Sequence, residues 1–185
     1  MDYVIRPVRA GEWQLVKELR LAALRDPVAP LAFLETYEQA VEQPDAFWRE
    51  RAAGSSESGD GEKRQFVAVA ADGSWAGSVT VLIERPDGEV AFGAAADVPQ
   101  AHVVGVFVRP EARGGGVAGE LFRAGLDWAW SLDGPRIERV RLYVHEDNLR
   151  ASAFYRRIGF APTGETVPVQ GDPEARELEY AVARP

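Results

Sequence analysis

An apolar run that ends at a proline and opens into three consecutive glycines constrains this chain more than any other feature. Residues 102–118 read His-Val-Val-Gly-Val-Phe-Val-Arg-Pro-Glu-Ala-Arg-Gly-Gly-Gly-Val-Ala. Val103 to Val108 is rich in β-branched and aromatic residues, which favour a pleated, enclosed strand. Pro110 has no N–H with which to extend a ladder. Past Gly116 an amphipathic helix carries Val117, Leu121, Leu126 and Trp130. A strand that feeds a glycine turn at a helix N-terminus is an anion site, because unpaired first-turn amides converge there and the helix dipole adds partial positive charge. Gly114, Gly115 and Gly116 remove the side chains that would hold a pyrophosphate away from those amides. Neither a Gly-x-x-x-x-Gly-Lys-Ser/Thr loop nor a Gly-x-Gly-x-x-Gly with its acidic ribose partner is present.

A second stretch, residues 139–160, combines a strand with a short helix. Val140, Leu142 and Val144 alternate with polar or aromatic neighbours, the mark of a strand with two unlike faces. Asp147 or Asn148 is placed to cap the next helix, and Gly159 to end it in a left-handed conformation. At helical spacing, Asn148, Ala151, Ser152 and Tyr155 share one stripe.

Together these segments resemble the GNAT superfamily of acetyl-coenzyme A-dependent N-acetyltransferases. The family signature Arg/Gln-x-x-Gly-x-Gly/Ala falls on Arg113, Gly116 and Ala118, and Asn-x-x-Ala-x-x-x-Tyr-x-x-x-Gly-Phe falls on Asn148 to Phe160. Strands at residues 3–9 and 177–182 extend the resemblance over most of the chain. It implies an α/β fold with a mixed, mostly antiparallel central sheet flanked by helices. Two parallel strands, 102–108 and 137–145, would splay apart to admit acetyl-coenzyme A. The resemblance places the pyrophosphate on the turn from Arg113 through Gly114, Gly115, Gly116 and Val117 to Ala118. It sets Val106, Phe107 and Val108 beside the pantetheine arm, with Asn148, Ala151, Ser152 and Tyr155 also on the cofactor side. Tyr155 would protonate the departing thiolate. Relatives often carry a glutamate on the signature strand, but Val103 to Val108 contains no acid. His102, at the start of that strand, is a candidate base acting through water, against the alternative of a surface histidine at a strand end. Glu35, Tyr37 and Glu38 are weaker candidates in a region that lines acceptor pockets in the family, and His145 reads as structural.

Composition narrows the function further. One domain spanning residues 1–185 can bury a real core. With no cysteine there is no thiol nucleophile, which excludes a cysteine acyl-enzyme and leaves direct transfer in a ternary complex. Two histidines make a dedicated metal centre unexpected, so no metal is assigned. A net charge of −8 argues against nucleic acid as a partner. No apolar run approaches a membrane span, and the N-terminus has no secretory pattern, so a cytoplasmic protein is expected. The acceptor is read as a small-molecule amine or a protein amino group, and a homodimer is left open. Transfer of another acyl group on the same fold, or a non-catalytic coenzyme A-binding module, are the alternative readings.

Along the chain, Tyr3 to Arg9 reads as a strand and residues 11–25 as a helix with Leu15, Leu19, Ala22 and Ala23 inward. A second helical region runs from about Glu35 to Ala53, interrupted near Pro44. Gly54 to Arg64 has linker composition and reads as a mobile loop. Residues 65–71 and 75–84 form a hairpin about Asp72-Gly73. Residues 86–101 read as an unassigned connection, and strands near 161–167 and 175–183 flank a Gly171-Asp-Pro173 turn.

Overall fold

The computed structural model describes residues 3–90 and 92–185; Met1, Asp2 and Ala91 lie outside the described residues. Seven strands form one sheet. They are β1 (Val4–Pro7), β2 (Lys63–Val69), β3 (Trp75–Glu84), β4 (Gln100–Val108), β5 (Arg139–His145), β6 (Ala161–Val169) and β7 (Asp172–Ala183), in the order β1-β2-β3-β4-β5-β7-β6. All pairs are antiparallel except β4 with β5. That parallel pair is held only by Gln100 with Arg139, Ala101 with Val140 and His102 with Arg141. Both strands run on past the last pair, to Val108 and His145, so they part there as the resemblance implies.

The sheet is covered on both faces, as alternation along β2 shows: Phe66 and Ala68 join one core and Val67 the other. Helix α5 (Val117–Ser131) lies against the first face through Val117, Leu121, Phe122, Gly125 and Ala129, a helical spacing. Gly125 allows a close approach, since a Cβ there would stand 3.0 Å from a Val81 methyl. The other face is covered by α1 (Trp13–Leu24), two short helices α2 (Ala29–Ala32) and α3 (Tyr37–Val41), and α4 (Asp45–Gly54). Helix α1 buries Val16, Leu19, Ala23 and Leu24, so its inner face is rotated slightly from the expected Leu15–Ala22 stripe. Trp48 of α4 is fully enclosed beside them.

Three local expectations are corrected. The Gly54–Arg64 segment is not a free loop. Ser55 and Ser56 are buried, the Ser56 hydroxyl donates to the Ala53 carbonyl at 2.7 Å, and Glu57 N donates to Val8 O at 3.1 Å. Small hydroxyl side chains can satisfy themselves on the backbone, which composition alone does not reveal. Strand β4 begins at Gln100, before the apolar run, because buried polar partners accept its first residues. Strands β6 and β7 extend almost to Gly171 through Pro168 and Pro173; β6 is an edge strand, and the paired stretch of β7 against β5 begins only at Glu177.

Candidate active site

The glycine turn leaves helix α5 with an open, uncapped start. A short 3-10 turn (Pro110–Ala112) follows β4, and Gly116 takes a φ of +85° as the N-cap of α5 with no side-chain cap bond. A residue with a Cβ is strained in that conformation, which is why the position suits glycine. Among the described residues no group accepts from the amides of Val117, Ala118 or Gly119, and nothing lies within 4 Å of where a Cβ would stand on Gly114, Gly116 or Gly119. Free donors facing vacant space at a helix N-terminus fit a pyrophosphate. Arg113 stabilises the turn with its side chain: Nε donates to the Val108 carbonyl at 2.9 Å and the guanidinium pairs with Asp26. Its own amide donates back to Pro110 O, so it is the later amides that remain free.

Where β4 leaves β5, the strand also carries a bulge. Ser78 pairs with Phe107 and Thr80 with Val104, so three steps on β4 oppose two on β3. Gly105 within it has a φ of +61°. Past the bulge, Arg109 N donates to Ala76 O at 2.7 Å. Alternation in an antiparallel ladder then turns the Val108 main chain the other way, toward the opening that β5 has vacated. The Val108 carbonyl is the one that Arg113 reaches, which agrees with that direction. Phe107 is buried in the α1–α4 core and Val108 packs on the other face, so only main-chain groups of these residues are available there.

A cavity of about 910 Å³ extends from this opening across the α2–α4 face of the sheet, lined by Val104–Val106, His102, Asn148 and Tyr155 among others. Helix α6 (Leu149–Arg157) supplies Tyr155, with Asn148 as its N-cap accepting from Ala151 N at 3.2 Å. Ala151 and Ser152 pack beneath the helix, away from the cavity lining. The Tyr155 ring is wedged among Phe122, Phe154, Phe160 and Tyr180. Its hydroxyl has no hydrogen-bond partner among the described residues. Burial, and then the charge of Glu177, push its pKa upward, so the phenol keeps its proton.

His102 is enclosed, not surface-exposed: it is 1% accessible and its Nδ1 lies 2.8 Å from Glu84 Oε1. Burial alone would raise the Glu84 carboxyl, but the bond and charge of His102, with Arg141 and Gln100, hold it down to about 2. An ionised carboxylate only accepts, so Nδ1 of His102 is the donor in this contact. The pair belongs to a larger network in which Arg141 bridges Glu84 at 2.8 Å and Glu179 at 3.1 Å. Arg141 also donates to the Ala94 carbonyl, while Ala94 N donates to the Tyr143 hydroxyl, which pins the loop after β3 over the site. His145 instead accepts from Asp147 N at 3.1 Å, a structural role. Glu35 lines the cavity but is held by Arg20 at 2.8 Å, and Tyr37 is engaged by Arg25.

Residues 25–160 match the model of the acetyltransferase (GNAT) family. The chain belongs to that family. Its GNAT fold is shared with Arabidopsis thaliana NAA60 in complex with acetyl-CoA, at a TM-score of 0.68 and 15% identity over 98% of both chains. The PaiA N-acetyltransferase of Thermoplasma acidophilum, in complex with coenzyme A, superposes at 0.67 with 17% identity, over 97% of this chain and 98% of that one. Among curated proteins, a mycothiol acetyltransferase of Salinispora tropica is 40% identical over 82 residues, 44% of this chain but only 23% of that protein. The match therefore spans less than a quarter of that relative's length. Among the described residues of this GNAT chain, no helix is long and apolar enough to cross a membrane, and no cluster of three metal-ligating side chains occurs.

Three residues in or beside the cavity were not singled out from sequence. Glu84 is the last residue of β3 and gains its role only through the register that sets Ile83 and Glu84 beside Ala101 and Gln100. Glu177 lines the cavity from β7, and burial raises its pKa while His145 partly opposes the shift. Arg51 enters from α4, with no motif in the sequence to mark it.

Proposed function

We propose that the protein is an acetyl-coenzyme A-dependent N-acetyltransferase that transfers its acetyl group directly to an amine in a ternary complex, carried by one domain over residues 1–185. The observation that carries this reading is the free amides of Val117–Gly119 at one end of the β4–β5 opening, with the unpartnered Tyr155 hydroxyl in the cavity beyond. The co-substrate supplies a thioester acetyl group. The turn from Gly114 to Ala118 holds its pyrophosphate, and the outward-turned N–H of Val108 stabilises the carbonyl oxygen as it gains charge. Val106, Phe107 and Asn148 flank the pantetheine arm.

The acceptor must reach the carbonyl as a neutral amine. A primary amine of pKa near ~10.4 has its neutral form disfavoured at pH 7 by ~4–5 kcal/mol. His102, oriented by Glu84, takes that proton through a water in the cavity. Its enclosure is why a water is needed. The amine nitrogen bonds the acetyl carbon, the carbon–sulfur bond breaks, Tyr155 gives its proton to the departing thiolate, and the proton then shed by the acylated nitrogen returns through water to Tyr155. Positioning of both substrates supplies much of the remaining rate.

The test is release of free coenzyme A thiol from acetyl-coenzyme A over a panel of small amines and peptides. Turnover with any amine supports the reading. Tight coenzyme A binding with no thioester consumption across the panel overturns it in favour of a binding module. Preferential use of longer acyl thioesters would instead assign another acyl group.

A further inference from the structure

Arg51 of α4 lines the cavity with a cation that nothing in the described chain neutralises. Its guanidinium makes no hydrogen bond and no ion pair among the described residues; its neighbours are the rings of Phe47 and Trp48, at 6.0 and 5.8 Å from the guanidinium carbon. The acid in its electrostatic reach, Glu35, is already bound by Arg20 at 2.8 Å. Burial, and then repulsion from Arg20, press its pKa downward. A guanidinium carries five donors in a fixed fork and stays charged, and Arg51, half-buried at the cavity wall, presents them with no protein acceptor among the described residues. The arrangement offers a ready site for an anion.

The place of Arg51 says which molecule brings that anion. A recess of about 20 Å³ is lined jointly by Arg51, Gln65, Ser78, Thr80, Gly105 and Phe107. Gly105 is the bulge residue of β4, so the cation lies beside the strand segment where the acetyl carbon must be attacked. The pyrophosphate turn, by contrast, lies further along the chain, past Val108 where the strand ends. Resting on the N-acetyltransferase reading, we infer that the acceptor is an amino carboxylate, a small molecule whose carboxylate docks bidentately on Arg51 while its amine faces the thioester. One unopposed positive charge matches a monoanion, and fork-to-fork pairing is the geometry a carboxylate offers. Glu177, elsewhere in the same cavity, suits the cationic end of such a molecule as it enters.

The experiment compares α-amino acids with their carboxamides and with the matching alkylamines, using thiol release from acetyl-coenzyme A, in wild type and Arg51→Gln. Wild type should favour the acids over both neutral sets by about 10- to 100-fold in kcat/KM, as expected for a charge-assisted pair. Arg51→Gln should remove that preference, leaving rates on alkylamines and acetyl-coenzyme A affinity by calorimetry unchanged. Acetylation of amines with no preference for a carboxylate overturns the Arg51 site and leaves the transferase reading standing. An Arg51→Gln defect confined to succinyl-coenzyme A would assign the guanidinium to the acyl chain, which also overturns it. Should no amine be acetylated, the transferase reading fails instead, and the site is then judged by melting temperature. A rise with the amino acids in wild type and not in Arg51→Gln keeps it, and equal behaviour removes it.

Discussion

Tyr155 concentrates the chemistry of a single residue: an apolar ring held by four aromatic neighbours and a hydroxyl with nothing to bond. Phenylalanine keeps the ring contacts and removes only the proton. Tyr155→Phe should therefore lower turnover by about 10²-fold, the low end for general acid–base assistance because a thiolate is not a strongly basic leaving group. Acetyl-coenzyme A affinity and melting temperature should stay near wild type. Turnover measured across pH on the same preparation decides the matter, since an unchanged profile would reduce Tyr155 to a packing residue.

At the level of elements, the glycine turn and the strand before it can be perturbed separately. Gly115 is outside the left-handed region, and a Cβ there meets only the Ala112 carbonyl at 3.6 Å, an ordinary contact. An aspartate at this position complements the α5 dipole but repels a pyrophosphate. Gly115→Asp should hold the melting temperature within a few degrees while weakening acetyl-coenzyme A at least about 10-fold by calorimetry; undiminished affinity would move the cofactor elsewhere. Gly77 faces the opposite constraint, since a Cβ there would overlap the Phe107 carbonyl at 2.6 Å and crowd Val108 at 3.1 Å. Both contacts are with the backbone of the strand that forms the cleft. Gly77→Ala should cost ~1–3 kcal/mol in a denaturant melt, typical of overpacking, and depress turnover as well. Wild-type stability in that variant would mean that β4 yields more readily than its pairing suggests.

Across the whole molecule, the buried network from Glu84 through Arg141 to Glu179 ties β3, β4, β5 and β7 together with charges. Glu84 binds a proton less readily folded, at about 2, than its usual 4.5. Its contribution to stability is therefore fully present above pH 4.5 and is lost as pH falls from there toward 2. Thermal melts of wild type should steepen downward over that window. Glu84→Gln, which cannot titrate, should be less stable at neutral pH and show a flatter loss on acidification. The same variant frees the His102 Nδ1 proton from its carboxylate, so turnover should fall about 10- to 100-fold, as for other bases that lose their orienting acid. Parallel curves for the two proteins would show that the network carries no linked proton.

The strand, glycine turn and helix of residues 103–131 were legible in the sequence because their determinants are local: β-branched residues, a proline stop, three glycines and a helical apolar stripe. The Asn148 cap and the Tyr155 stripe were legible for the same reason, since offsets within one helix need no knowledge of the rest. What surrounds them was not. His102 reads as a strand-end residue until β3 brings Glu84 to it across the ladder. The serines after α4 read as linker until they bond the helix end and Val8 takes the amide of Glu57. Arg51 has nothing local to mark it, and comes beside the bulge at Gly105, with its neighbouring acid claimed by another arginine, only in the folded chain. Local backbone preferences identify the turn that can hold a pyrophosphate. Which charges face the cavity depends on pairing between residues far apart in the chain, and only tertiary structure brings those together.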